Sequence, residues 1–120
     1  MKNITSYSNV VIGALLLLSV FVLQSCKKDS DTSTSGSPGT NEVWMQNTAF
    51  NPATITVAVN TTITWTNKDN MTHTVTSDSG LFDSGNLGNG STYSHKFTTT
   101  GTFAYHCSIH SGMKAKVVVQ

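Results

Sequence analysis

The sequence predicts an all-β domain over residues 41–120, folded as a small antiparallel β-sandwich. Short runs rich in Thr, Val and Ile alternate polar and apolar side chains, which is the pattern of half-buried strands. Clusters of Gly, Asn, Asp and Ser separate these runs, as turns do. No window has the apolar periodicity of an amphipathic helix. Seven or so short strands in about 80 residues are typical of a sandwich.

The clearest strands are those in which every second residue is apolar. Residues 54–59 (TITVAV) and 62–66 (TITWT) alternate in this way, and residues 60–61 form the turn between them. A polar turn at 67–70 (NKDN) and a Gly-rich loop at 77–90 follow, and the apolar residues Leu81, Phe82 and Leu87 are expected to pin that loop. The predicted strands are 43–45, 54–59, 62–66, 73–76, 92–97, 102–107 and 114–119. The apolar side chains expected in the core are Phe50, Ile55, Ile63, Trp65, Phe97, Phe103 and Val118.

Residues 1–25 have the features of an export signal. A positive start at Lys2 precedes a 14-residue apolar run at 10–23, which is shorter than the roughly 20 residues that span a bilayer. An uncleaved membrane anchor is the alternative interpretation. The run ends in Leu23-Gln24-Ser25-Cys26, which resembles the lipobox of a bacterial lipoprotein signal peptide and implies that Cys26 is lipidated.

Residues 26–40 begin with this cysteine and contain no large apolar side chain, so we expect a flexible linker. These N-terminal segments together predict an exported protein that is lipid-anchored to a bacterial membrane and faces the periplasm or the cell exterior. The domain that follows carries equal numbers of basic and acidic side chains, and the whole chain lacks Arg. This charge distribution gives no indication of nucleic-acid binding.

The most informative motif is Cys107-Ser108-Ile109-His110-Ser111-Gly112-Met113. It places a thiolate, an imidazole and a thioether at Cys-x2-His-x2-Met spacing, in a turn between the last two predicted strands. The two sulfur donors favour Cu(I), whereas imidazole suits both copper oxidation states. His73, 34 residues before Cys107, can supply a second imidazole from another strand. The alternatives are a buried core thiol or a disulfide with Cys26 for Cys107, a zinc site, and Met71 as the thioether.

Three segments carry a resemblance to a known family: residues 63–69 (ITWTNKD), 73–75 (HTV) and 101–113 (GTFAYHCSIHSGM). They resemble the cupredoxins, small type 1 blue copper proteins of the plastocyanin, pseudoazurin and amicyanin group. The resemblance implies a Greek-key sandwich of about seven or eight strands. It also implies one copper ion per chain, held by the ligands His73, Cys107, His110 and Met113.

The function that the resemblance implies is one-electron transfer by copper cycling between Cu(I) and Cu(II), without enzymatic activity. The edge of His110 would face solvent as the electron gateway, with Ile109 offering an apolar docking surface. Redox proteins such as c-type cytochromes or a terminal reductase or oxidase would be the partners. Many members of the family have Asn directly after the first ligand His, where this chain has Thr74.

Two other functions remain open at this stage. The first is copper handling, as a chaperone or a store. The second is a part of a nitrite-reductase-like copper enzyme, in which a His beside the ligand Cys links the blue site to a second copper centre. His106 occupies that position, but the chain offers only His95 as a spare imidazole, so His106 is expected to be an ordinary, partly exposed residue and His95 to be more exposed.

Overall fold

The structure is a computed structural model that describes residues 36–120. The predicted export signal, the lipidation site Cys26 and most of the predicted linker lie outside these residues. Within residues 36–120 there are eight strands and no helix, hence no helix that is long and apolar enough to cross a membrane.

The eight strands form two four-stranded sheets. One sheet has the order β2-β1-β4-β6 and the other β3-β8-β7-β5. Their bounds are Glu42–Gln46 (β1), Ala49–Asn51 (β2), Thr54–Val57 (β3), Thr61–Asn67 (β4), Thr76–Ser77 (β5), Thr92–Phe97 (β6), Gly101–His106 (β7) and Lys114–Val119 (β8). The prediction of an all-β fold is therefore confirmed.

The two sheets are mixed, whereas the sequence predicted purely antiparallel pairing. In each sheet one pair is parallel: β1 with β4, and β3 with β8. The reason is that the chain leaves the first sheet after β2, adds β3 to the second sheet, and returns for β4. Such crossings let strands that are distant in sequence run side by side in the same direction.

Two predicted elements differ in detail. The strand predicted at 73–76 is reduced to Thr76–Ser77, and His73 instead forms an isolated bridge with Leu87. The short strand β2 was not predicted, because three residues between turn segments give too little alternation to recognise.

Most of the predicted core is buried. Phe50, Ile55, Ile63, Trp65 and Phe97 are buried, and Trp65 lies at the centre of an aromatic cluster with ring centroids 5.5–6.4 Å away. Burial of one such side chain stabilises the fold by roughly 1.5–3 kcal/mol.

Three core predictions were wrong or only partly right. Val117 and Val119 are buried, whereas Val118 and Phe103 are only half-buried. In the loop at 77–90, Phe82 and Leu87 are buried but Leu81 is 52% exposed. Successive side chains of a strand point to opposite faces of the sheet. Because residues 117–119 are all valine, the sequence does not show which of these side chains are buried.

Candidate metal centre

The loop between β7 and β8 carries three of the four predicted ligands. His106, the last residue of β7, pairs with Lys114, the first residue of β8, and residues 107–113 connect them. The Cys107 N–H donates to the Met113 carbonyl at 3.0 Å, and the Met113 N–H donates to the His110 carbonyl at 3.0 Å. This closed turn brings Cys107, His110 and Met113 together at one end of the sheet.

His73 reaches the same end from the segment between β4 and β5. Its backbone is fixed by two hydrogen bonds with Leu87: the His73 N–H donates to the Leu87 carbonyl at 3.0 Å, and the Leu87 N–H donates back at 2.8 Å. The His73 side chain is fully buried. This burial shields the imidazole of His73 from solvent.

The donor atoms of His73, Cys107 and His110 form a compact triangle. The two Nδ1 atoms are 3.1 Å apart, and Cys107 Sγ lies 3.9 Å from His73 Nδ1 and 3.6 Å from His110 Nδ1. A circle through these three atoms has a radius of about 2.1 Å, within the range of metal–nitrogen and metal–thiolate bond lengths known for zinc. One metal ion therefore fits between the three donors as they stand.

The chemistry of this donor set favours copper. Two imidazoles and one thiolate in a trigonal arrangement, with a weak axial thioether, are typical of blue-copper sites. Met113 is 2% exposed and is the last residue of the ligand loop, whereas Met71 is 47% exposed. Buried Met113 is thus the better placed thioether, and its ligation remains a prediction.

Cys107 is prepared for binding a metal as a thiolate. Burial acts to raise the pKa of its thiol, but hydrogen bonds, chiefly from the Thr74 N–H and from His110, outweigh burial and lower the pKa to about 6. The Thr74 N–H lies 3.4 Å from Cys107 Sγ. The thiolate, which is the metal-binding form, therefore predominates at neutral pH.

Thr74 connects the His73 segment to the ligand loop. Its hydroxyl oxygen accepts a hydrogen bond from the Ser108 N–H at 2.8 Å and lies 3.0 Å from the Ser108 hydroxyl and 2.9 Å from the Thr76 hydroxyl. Thr74 thus forms a brace to the residue that follows Cys107, at the position where many cupredoxins have Asn.

Asp69 was missed by the sequence interpretation, which treated residues 67–70 only as a polar turn. Its Oδ2 lies 2.8 Å from Nε2 of the buried His73. Burial acts to raise the pKa of Asp69, but hydrogen bonds from the Thr48 and Asn47 backbones and from His73 produce a net lowering of that pKa. Asp69 lies only four residues before His73, but outside a helix this spacing gives no signal that the two side chains meet.

Asn67 was also missed, and it fixes the segment that leads to His73. Its fully buried amide donates to the carbonyls of Met71 at 2.7 Å and Leu87 at 2.8 Å. Its Oδ1 accepts the Asp69 N–H at 2.9 Å.

The two spare histidines lie outside the donor triangle. Among residues 36–120, only His73, Cys107 and His110 form a group of His, Cys or acidic side chains placed to share a metal ion. His106 pairs instead with Asp78, with 2.5 Å between Nδ1 and Oδ1, and its side chain is 35% exposed. His95, which we expected to be the more exposed, is half-buried with its ring centroid 4.7 Å from Phe82 and 4.9 Å from Phe97.

Comparison with protein families and with known proteins shows what the chain is similar to. The family described as "Cupredoxin-like domain" matches residues 13–119. Amicyanin-alpha of Methylorubrum extorquens is 33% identical over 87 residues, covering 68% of this chain and 73% of amicyanin-alpha. The chloroplastic plastocyanin of Tetradesmus obliquus is 32% identical over 84 residues, and the match spans only 58% of that plastocyanin.

The fold of this chain is also similar to solved structures of cupredoxins and of a copper-containing enzyme. A purple cupredoxin from Nitrosopumilus maritimus superimposes with a TM-score of 0.61 at 28% identity, covering 66% of this chain and 98% of that one. A copper-containing nitrite reductase from Thermus scotoductus gives a TM-score of 0.62 at 28% identity, covering 66% of this chain but 22% of the reductase.

Proposed function

Because this chain belongs to the family of the cupredoxin-like domain, we propose that it is an exported, lipid-anchored one-electron carrier with a single type 1 copper ion. The observation that carries the proposal is the triangle formed by the His73 Nδ1, His110 Nδ1 and Cys107 Sγ atoms, with sides of 3.1–3.9 Å. Bound copper would supply a Cu(I)/Cu(II) couple at this position.

The residues of the chain would hold that ion with little rearrangement between oxidation states. Cys107 would supply the thiolate, His73 and His110 the two imidazoles, and Met113 the thioether. Cys107 and His73 are fully buried and Met113 nearly so, so the protein excludes water from most of the site. Such a closed set leaves no open position for a substrate, which supports electron transfer over catalysis.

Electrons would enter and leave through His110. Its side chain is partly exposed, unlike that of His73, and the neighbouring Ile109 is 49% exposed. An exposed apolar side chain beside a solvent-facing ligand suits brief docking of a redox protein. A c-type cytochrome or a terminal reductase or oxidase is the class of partner that we propose.

A nitrite-reductase-like role has less support in this chain. The likeness to that enzyme covers 22% of its length. His106, beside the ligand Cys107, pairs with the carboxylate of Asp78.

The experiment that separates electron transfer from copper handling is voltammetry of the copper-loaded protein in the presence of a Cu(I) chelator. An electron carrier gives a reversible one-electron wave and retains its copper. Loss of Cu(I) to the chelator without a reversible wave would instead support a chaperone or a store.

A further inference from the structure

Asp69 lies behind His73, on the side of the imidazole that faces away from the donor triangle. Nδ1 of His73 faces Cys107 and His110, whereas Nε2 lies 2.8 Å from Asp69 Oδ2. We propose that Asp69 is a positioning residue that fixes the Nε2–H form of His73 and makes bound copper favour Cu(II). This inference rests on the proposed copper function.

The carboxylate of Asp69 is itself held by the turn between β1 and β2. Oδ1 accepts the Asn47 N–H at 2.8 Å, and Oδ2 accepts the Thr48 N–H at 2.9 Å in addition to the bond from His73. Asn47 and Thr48 have φ angles of 55° and 57°. This left-handed conformation is costly for a β-branched residue such as Thr48, and it aims both N–H groups at the same carboxylate.

The backbone of Asp69 is fixed as well. Its N–H donates to the Asn67 side chain at 2.9 Å, and its carbonyl accepts the Asn89 amide at 2.8 Å. The Asp69 side chain is 15% exposed and that of His73 is 0% exposed. The carboxylate is therefore held in one position and is poorly screened by water.

A fixed negative charge on the far side of a ligand imidazole has two consequences. It accepts a hydrogen bond from Nε2–H, which leaves the Nδ1 lone pair directed at the metal and raises the basicity of that nitrogen. It also attracts the doubly charged ion more strongly than the singly charged ion, because the two oxidation states differ by one positive charge at the metal. Asp69 should thus lower the reduction potential of the site.

The first test is ¹⁵N NMR of the histidine rings in the wild-type apoprotein, which needs neither copper nor a variant. We expect Nε2 of His73 to be protonated and Nδ1 to be unprotonated at neutral pH. An Nδ1–H form of His73 would overturn the proposal. Because copper is absent, this result does not depend on whether the copper function is right.

The second test compares Asp69→Asn with Asp78→Asn. The control removes the same charge from a carboxylate that also pairs with an imidazole, that of His106, outside the donor triangle. In Asp69→Asn we expect the Cu(II) affinity to fall about 10–100-fold, as for other partners of ligand histidines, and the Cu(I) affinity to fall less. Each tenfold difference between the two losses raises the potential by about 59 mV.

A merely structural role predicts a different outcome, namely equal losses of Cu(I) and Cu(II) affinity and no change in potential beyond that of Asp78→Asn. That result would refute the inference. Failure of the wild-type protein to bind copper would refute the proposed function instead. If Asp69→Asn does not fold, the NMR result on the wild-type apoprotein still tests the proposal, because an Nδ1–H form of His73 refutes it.

Discussion

Replacement of Thr74 by Val tests whether the brace between the two ligand-bearing segments stabilises the domain. Val has nearly the same shape as Thr but lacks the hydroxyl. The variant loses the acceptor of the Ser108 N–H at 2.8 Å and the hydroxyl contacts to Ser108 and Thr76 at 3.0 and 2.9 Å. The Thr74 N–H, which donates to Cys107 Sγ, is unchanged because it belongs to the backbone.

The expected loss of stability follows from the Ser108 N–H, which is left without its acceptor in the variant. Thr74 is 3% exposed but Ser108 is exposed, so water can partly replace the lost acceptor, and the cost should lie at the lower end of the range of about 1–3 kcal/mol for an unpaired N–H. For a domain of this size a urea m-value near 1 kcal/mol per molar is typical, so the unfolding midpoint of the apoprotein should fall by about 1 M.

The assay is urea unfolding of the apoproteins followed by tryptophan fluorescence. Thr64→Val is the matched control, because Thr64 forms a hydroxyl pair with Ser94 at 2.8 Å on the exposed side of the sheet. Its free energy of unfolding should change by no more than about 0.5 kcal/mol. A Thr74→Val variant as stable as Thr64→Val would refute the argument that Thr74 braces the ligand loop.

Two further predictions concern pH and the membrane anchor. Burial lowers the pKa of His95, so the unfolded chain binds its proton more readily and the stability of the apoprotein should fall as the pH drops below about 6.5. His95→Phe should remove part of the difference in urea midpoint between pH 7.5 and pH 5.5, and an unchanged difference would contradict this assignment. For the anchor, mass spectrometry of the native protein should find a mature chain that begins with lipidated Cys26, and Cys26→Ala should leave precursor or soluble protein. The linker would then hold the domain roughly 20 Å from the membrane; an unmodified Cys26 would disprove the lipoprotein interpretation.

Local spacing explains why much of the site could be predicted from the sequence. Cys107, His110 and Met113 lie within seven residues in a turn between two strands, so their proximity follows from the local chain path. His73 could be assigned as a ligand only through the resemblance to cupredoxins. Its position beside the ligand loop depends on a β-bridge to Leu87, which the hydrophobic periodicity of the sequence does not indicate.

The role of Asp69 could not be predicted because it depends on a distant turn. Its carboxylate is held by Asn47 and Thr48, more than 20 residues earlier in the chain. Asn is common in the left-handed conformation, but a β-branched residue such as Thr48 gives no sequence signal for it.

Two further features could not be predicted from the sequence. They are the direction of strand pairing and which of two neighbouring apolar side chains is buried. Parallel pairing of β1 with β4 depends on where the chain crosses between sheets. Leu81 and Phe82 are adjacent in the chain. The ring centroid of Phe82 lies 5.9 Å from that of Trp65, whereas the Leu81 side chain remains exposed. Such choices depend on packing against distant residues rather than on local pattern.

The central claim is that Cys107, His73 and His110 hold one copper ion in a type 1 site, and the optical spectrum of the purified protein with Cu(II) tests it most directly. We expect an intense blue or green colour from thiolate-to-copper charge transfer. Cys107→Ser should abolish that colour, and Met71→Leu, at an exposed methionine outside the proposed ligand set, should retain it. A colourless Cu(II) complex of the wild-type protein, or an unchanged spectrum in Cys107→Ser, would contradict the assignment.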